Sequence, residues 1–437
     1  MSGSALPRLR ARTIRLGEGV EPPLERFADP RAPLAWLRRG EGIVGAGEPV
    51  WRGEFRGEGR IRDAAAVWRE LAAAAEVDDA ACVPGSGLAA FGAIAFAAGS
   101  AAPSALIVPS TIVGVRDGVA FVTAITADGS EPRPELPTPA APGPDVRTAF
   151  RDGAMTADRH RRAVSHAIDL INEGALSKLV IARDVVGAIP ADADRRAFLG
   201  RLAGAYPECW GYAVDGLIGA SPETLVRVIG RNVAARVLAG TAPRGQDEAA
   251  DREAERALFA SRKNREEHAY AVESAIASLS DLDDHEDPGH GLTASPVPFL
   301  LRLPNVWHLA SDIRGTLPPG RTVLELVEAL HPTAAVGGTP RDAAVDAIDR
   351  LEPFDRRRYA GPVGWLSGSG DGEWAIALRG AEVADDGAVT AYAGGGIVAT
   401  SDPLEEFSET EWKLRPVLDA LGLPGAGAGW ASGAASE

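Results

Sequence analysis

The sequence predicts a chain that mixes helices with antiparallel hairpins of strands, and three observations support this expectation. Apolar residues recur at helical spacing in several stretches, among them 156–172. Runs rich in Val, Ile and Leu, such as 176–189, have the length and composition of buried strands. Asp117-Gly118 is a turn pair between two apolar runs, as in a hairpin.

The first part of the chain contains elements but no evident chemistry. Residues 1–60 alternate polar and apolar positions, which predicts short strands, and the Ala-rich stretch 64–76 predicts a helix. Residues 85–98 and 105–123 predict buried strands. Six prolines between 127 and 146 indicate a linker. These patterns divide the chain into residues 1–145 with the Pro-rich linker at their end, a second region over 150–424, and a disordered tail over 425–437.

The second region has clearer signals. A helix over 156–172 leads into a strand over 176–189, and the later elements follow in order. We expect a hairpin over 217–240, a Gly/Pro loop over 238–245, a helix over 261–279, a loop over 330–340 followed by a helix over 341–351, hairpins over 359–383, and a helix from Pro403.

Composition excludes several classes of partner. The 437 residues include 45 basic and 61 acidic side chains, a net charge of −16 that disfavours nucleic acid and anionic membranes. Cys82 and Cys209 are too few for a disulfide framework, and no apolar run reaches the roughly 18 residues of a membrane span. We therefore expect a soluble cytoplasmic protein. A small anionic substrate would need a local positive patch or a metal.

Residues 393–417, AGGGIVATSDPLEEFSETEWKLRPV, show the strongest local pattern. Three glycines precede helix-start signals: Ser401 or Asp402 as N-cap, then Pro403 at the first helical position. On such a helix Glu406, Glu409 and Lys413 lie within roughly 60° of one another. This face is either a solvated Glu/Lys surface or a site with two carboxylates and an amine.

Lysine usage favours the second interpretation. Only three of the 45 basic residues are lysines: Lys178, Lys263 and Lys413. Lysine differs from arginine because it can lose its proton when it is buried. Lys178 lies within a predicted strand, where it is either a charged guard of a sheet edge or a partly desolvated amine that serves as general base.

Three further features have weaker signals. The backbone of the loop 238–245, LAGTAPRG, can donate hydrogen bonds to an anion. The acidic loop 283–291 contains His and Asp, but its Pro and Gly content favours a solvated loop over a metal site. His308, inside a strand pattern, is more typical of a hydrogen-bonded histidine than of a ligand.

Eight segments in order resemble the chorismate-utilising enzymes, a family that includes anthranilate, aminodeoxychorismate, salicylate and isochorismate synthases. The segments span residues 155–420. They are SKLVIAR, ASPETL, LAGTAPRG, KNREEH, HLASDI, LHPTAAVGGTP, YAGPVGW with GEWAIALRG, and GGGIVATSDPLEEFSETEWKL. The resemblance implies one large α+β fold of antiparallel sheets packed by helices, with a central active-site cleft. Residues 1–145 would belong to the same fold.

The resemblance also implies roles for individual residues. Glu267 and Glu409 match the two Mg²⁺ ligands of the family, and Glu406 matches an acid that supports the metal through water. Asn264 departs from the acid that many members have there. The implied substrate-binding positions are Gly240, Thr241, His308, Ala335, Tyr359, Arg379, Gly394, Gly395, Gly396 and Lys413.

Within the family, Lys178 and Glu223 favour an isochorismate synthase, which would use Mg²⁺ to convert chorismate to isochorismate for menaquinone or siderophore synthesis. Lys178 would activate water for attack at C2, and Glu223 would protonate the C4 hydroxyl as it leaves. Ala335 favours this interpretation over salicylate synthase, whereas Tyr359 favours the reverse. A chorismate-binding regulator is the non-enzyme alternative. We expect a monomer that binds chorismate and has no glutaminase subunit.

Overall fold

The computed structural model describes residues 6–17, 24–245, 247–280, 292–302 and 306–423. Within these ranges the chain forms twenty-one strands and eight α-helices. The strands are β1 Arg10–Arg15, β2 Leu34–Arg38, β3 Glu41–Phe55, β4 Glu76–Asp79, β5 Ala89–Ala93, β6 Ser104–Arg116, β7 Val119–Thr126, β8 Arg151–Asp152, β9 Lys178–Ala188, β10 Trp210–Val214, β11 Leu217–Ser221, β12 Thr224–Ile229, β13 Asn232–Pro243, β14 Thr293–Ala294, β15 Phe299–Arg302, β16 Val306–Thr316, β17 Gly338–Thr339, β18 Pro362–Ser367, β19 Gly372–Ile376, β20 Gly380–Val383 and β21 Ala388–Ile397. The helices are α1 Arg60–Ala74, α2 Ala157–Asn172, α3 Arg196–Ala205, α4 Glu248–Ala260, α5 Arg262–Ser280, α6 Val323–Leu330, α7 Arg341–Leu351 and α8 Pro403–Leu421.

Hydrogen bonds link all these strands into one network, and every pair of neighbouring strands except β1 with β4 is antiparallel. The N-terminal strands join the later ones directly: β2 pairs with β10, and β5 pairs with β18. Four tryptophans are fully buried in the core: Trp36, Trp68, Trp365 and Trp374. The predicted α+β fold of antiparallel strands packed by helices is confirmed.

Several predicted elements are confirmed closely. The helix predicted over 156–172 is α2, and the Thr156 side chain accepts a hydrogen bond from the backbone N–H of Arg159. The helix predicted over 341–351 is α7. Asp117 and Gly118 both have positive φ angles, 50° and 74°, in the turn between β6 and β7. Local turn and capping chemistry therefore decides these boundaries.

Other predictions are wrong. Residues 238–245 are not a loop along their whole length, because β13 continues to Pro243 and pairs with β16 from Asn232 to Pro243. Gly240, whose φ is 78°, forms a β-bulge between Ala239 and Thr241 in that ladder. The predicted apolar position Ala269 of α5 is exposed. In the N-terminal region β3 spans 15 residues, longer than the short strands expected.

Residues 127–147 contain no helix or strand, which agrees with the Pro-rich pattern. The predicted acidic loop 283–291 and tail 425–437 lie outside the described residues. Among the helices that the structure describes, none combines the length and the apolar character needed to cross a membrane.

Candidate active site

Strand β9, which begins at Lys178, lies between two other strands. Its residues from Leu179 to Ala188 pair with β21, and at the other edge Thr339 of β17 pairs with Lys178. Lys178 is therefore not at an open edge of the sheet. Lys178 therefore does not fit the interpretation of a charged residue that protects an edge strand from aggregation.

The Lys178 side chain lies against Gly396 of β21, a position that has no side chain. A Cβ atom added to Gly396 would lie 3.0 Å from Cε and 3.6 Å from Nζ of Lys178. Gly395 next to it leaves similar room for Glu406, since an added Cβ would lie 2.7 Å from Oε2 of that carboxylate. The two glycines thus let an amine and a carboxylate approach the backbone of β21.

Helix α8 brings the predicted triad to this strand. The carboxylate of Asp402 caps the helix by accepting hydrogen bonds from Leu404 N and Glu405 N. The Nζ of Lys413 donates to the carbonyl oxygen of Gly394 at 2.8 Å and forms an ion pair with Glu409, one turn earlier. The i,i+4 pair expected of a solvated face is therefore present, but its amine also anchors α8 to β21.

Glu406 is different from its neighbours on α8. Its Oε1 accepts a hydrogen bond of 2.6 Å from Ser401 Oγ, whereas its Oε2 is buried and has no hydrogen-bond partner in the part of the chain that the structure describes. Burial raises the pKa of Glu406, and the charge of Glu409 raises it further. An unsatisfied buried carboxylate oxygen beside a second carboxylate suits a hard cation.

The role of Ser401 was not apparent from the sequence, where it was a candidate helix cap. The capping residue is Asp402, and Ser401 orients Glu406 instead. A serine five residues before a glutamate has no recognisable sequence signal, so this contact could not be predicted from spacing.

Glu223 lies at the short connection between β11 and β12. Its backbone is held by Ser221 Oγ, which accepts from Glu223 N at 3.2 Å, and by Ile376 N, which donates to Glu223 O at 3.0 Å. Burial raises the pKa of its carboxyl to about 7, although the charges of Lys178, Lys413 and Arg379 oppose this shift. Glu223 can therefore carry a proton near neutral pH, as a general acid requires.

Arg379 follows β19 and adopts a positive φ of 53°. Burial lowers the pKa of its guanidinium. The electrostatic interaction with Tyr359 is the largest effect that raises this pKa. Within the described residues, no hydrogen bond or ion pair engages this side chain. A half-buried cation that the protein leaves unneutralised is suited to bind an anionic ligand.

His308 and Tyr359 complete the cluster. His308 of β16 lies opposite Thr241 and hydrogen-bonds to the backbone of Gly240, as predicted for a strand histidine. Burial lowers its pKa to about 4, and Lys413 and Lys178 lower it further, so the ring is neutral. Tyr359 stacks on Tyr392 at 5.1 Å, and burial raises the pKa of its hydroxyl to about 12.

The structure thus brings most of the predicted residues together. Electrostatic interactions connect Glu223 and His308 to the same three cations, Lys178, Lys413 and Arg379. The side chains of Glu267 and Thr241 lie outside the described residues, although their backbones belong to α5 and β13. Asn264 donates from Nδ2 to Ser261 Oγ at 3.0 Å. In the described part of the chain, no three His, Cys, Asp or Glu side chains cluster as a metal site.

Comparisons with known proteins identify the protein family to which this chain belongs. Residues 34–422 match the family model of the chorismate binding enzymes. The chain is 39% identical over 336 residues to a putative isochorismate synthase, MenF, of Mycobacterium tuberculosis, covering 74% of this chain and 83% of that protein. It is 37% identical over 276 residues to the isochorismate synthase DhbC of Bacillus subtilis, covering 60% and 68%.

Among solved structures, the menaquinone-specific isochorismate synthase MenF of Escherichia coli superposes with a TM-score of 0.75 at 26% identity and covers 95% of each chain. The protein therefore belongs to the chorismate binding enzyme family, as the sequence motifs predicted.

Proposed function

We propose that this protein is an isochorismate synthase, an isomerase that converts chorismate to isochorismate. The observation that carries the proposal is Glu223, a carboxyl with a pKa of about 7 that interacts with Lys178, Lys413 and Arg379. A site that only binds chorismate would need the cations but not a protonated acid. The isochorismate synthases among the relatives support the same assignment.

The cations account for binding. Chorismate carries two carboxylates, and Arg379 provides a guanidinium that no described protein group neutralises. Lys413 lies beside the backbone of Gly394 and adds a second positive charge. We assign these two side chains, together with the backbone of Gly394, Gly395, Gly396, Gly240 and Thr241, to the substrate carboxylates.

Lys178 and Glu223 then divide the chemistry between them. The oxygen of a water molecule bonds to C2 while Lys178, reacting as the uncharged amine, accepts a proton from it, and the ring double bond shifts. The C4–O bond breaks, and the oxygen leaves as water with the proton of Glu223. Neutral His308 can hydrogen-bond to the substrate without adding charge.

We further propose that Mg²⁺ is held by Glu409 and Glu267, with Glu406 supporting it through water. The unpartnered Oε2 of Glu406 fits such a cation. When bound, the metal would neutralise and orient a substrate carboxylate. Water as nucleophile makes a glutaminase subunit unnecessary, and we expect a cytoplasmic monomer.

The reaction is tested with purified protein, chorismate and Mg²⁺ near neutral pH. We expect isochorismate to form without stoichiometric pyruvate, because Ala335 lacks the hydroxyl that would help Tyr359 hold the enolpyruvyl group. Stoichiometric pyruvate with salicylate fluorescence would assign the chain to salicylate synthase instead. Chorismate binding without turnover would favour the regulator.

The metal is tested without turnover. Calorimetric titration with Mg²⁺ should show weaker binding for Glu409→Gln than for the parent. Glu405→Gln is the matched control, since Glu405 is exposed on the same turn of α8. Equal titrations for both variants would contradict the metal assignment.

A further inference from the structure

A cavity opens beside Glu223 and Ala335 of the proposed site. Its volume is about 300 Å³, and Glu223 and Ala335 form part of its wall. Lys178, His308, Arg379 and Lys413 do not line it. Glu223 is therefore shared between the proposed catalytic residues and the wall of this cavity.

The walls of this cavity are partly polar and reach the surface. Strand β13, helix α5 and the segment 330–341 form most of them, with Ala275 and Val237 on opposite elements. Pro340 and Arg236, also in the wall, are exposed. The polar lining residues are Glu223, Thr224, Arg236, Thr333, Thr339 and Arg341. A compartment of this size and polarity, with exposed residues at its rim, can hold several water molecules.

The proposed reaction creates a need for such a compartment. Each turnover leaves Lys178 with one proton more and Glu223 with one proton fewer. Before the next turnover, Lys178 must release its proton to solvent and Glu223 must gain one from solvent. The water formed from the C4 hydroxyl arises at Glu223, and Glu223 is in the wall of the cavity.

We propose that this cavity is the water-filled route through which Glu223 regains its proton and the departing water leaves. The inference rests on the proposed isochorismate synthase activity, because only that reaction discharges Glu223. It assigns a functional role to small residues of α5 and β13 that contact neither the substrate nor the metal. The space beside Ala275 keeps the route open.

The test fills the cavity with Ala275→Leu. The matched control is Ala277→Leu, because Ala277 is exposed on the same helix. We expect Ala275→Leu to lower steady-state kcat roughly tenfold with KM unchanged and to increase the solvent deuterium isotope effect on kcat. The single-turnover rate with enzyme in excess should stay near the parent value, since Glu223 begins that turnover protonated.

A distorted site would slow single and multiple turnovers equally, and that result would overturn the proposal. Unchanged steady-state kcat would also overturn it. Val237→Phe fills the cavity from β13, should give the same pattern, and decides the question if Ala275→Leu does not fold. If the parent and Ala277→Leu are both folded but inactive towards chorismate, the proposed function itself fails, and the inference with it.

Discussion

Glu373 and Glu223 lie on or beside two paired strands but have opposite surroundings. Glu373 of β19 is 1% exposed and accepts hydrogen bonds of 3.1 Å from the indole N–H groups of Trp36 and Trp365. It also forms ion pairs with Arg227, at 2.9 Å, and with Arg116. Glu223, just before the paired strand β12, interacts with three cations only through longer-range charge.

The difference shows that Glu373 stabilises the fold, whereas Glu223 suits a role in proton transfer. The donors around Glu373 satisfy its charge, so this residue ties β2, β6, β12 and β18 to β19. The carboxyl of Glu223 has no such donors among the described residues, and burial raises its pKa to about 7. A fold can therefore place two carboxylates close together and surround only one of them with direct hydrogen-bond donors.

The largest expected effect is on catalysis at Glu223. Glu223→Gln should lower kcat by about 10²–10⁴, because the amide cannot supply a proton, while the free energy of unfolding stays the same or rises. Turnover assays and urea unfolding measure the two quantities. Lys178→Gln should likewise lower kcat without lowering the free energy of unfolding. Activity of Glu223→Gln within tenfold of the parent would remove Glu223 from the mechanism.

Glu373→Gln should behave in the opposite way. Replacing this charge leaves Arg116 and Arg227 without their carboxylate, which should lower the free energy of unfolding by about 3 kcal/mol. The folded fraction should retain kcat within about threefold, since Glu373 touches no proposed substrate group. A large loss of activity at full folding would show that the two glutamates are coupled.

The alkaline limb of the pH–activity profile should further distinguish Glu223 from Glu373. A pKa of about 7 means that Glu223 is protonated below pH 7 and ionised above it. As the acid is lost, kcat/KM, which reports the groups of the free enzyme, should fall about tenfold per pH unit above that value. The profile should be the same in Glu373→Gln. An alkaline limb that begins well above pH 8 would contradict the role of Glu223 as the acid.

Arg227→Gln should have the smallest effect. The side chain of Arg227 is half-exposed, and Glu373 keeps three other donors. We expect a loss of about 0.5–1 kcal/mol in the free energy of unfolding and no change in kcat. Arg116→Gln, which removes a mostly buried partner, is the comparison. An equal loss in both variants would mean that burial of the partner does not matter here.

Local signals explain what could be predicted from the sequence. Helix α8 and strand β9 have distinct patterns, and the motifs around Lys178 and Lys413 identified the family. The predicted hairpin over 217–240 includes most of β13, but the end of the strand at Pro243 was missed because Gly240 and Pro243 are typical of loops, whereas the ladder with β16 overrides that preference. The Glu373 cluster could not be predicted, since three of its four donors, Trp36, Arg116 and Arg227, are far from Glu373 in the sequence. Only the folded sheet brings them together.

The double pairing of β9 limits which insertions and deletions the chain can tolerate. The strand is in register with β21 from Leu179 to Ala188 and with β17 at Lys178. A residue added inside β9 would turn the following side chains to the opposite face of the sheet, whereas one added in the turn at 173–177 leaves the ladder intact. Length variation among homologues should therefore accumulate before Lys178 and be absent between Lys178 and Arg183.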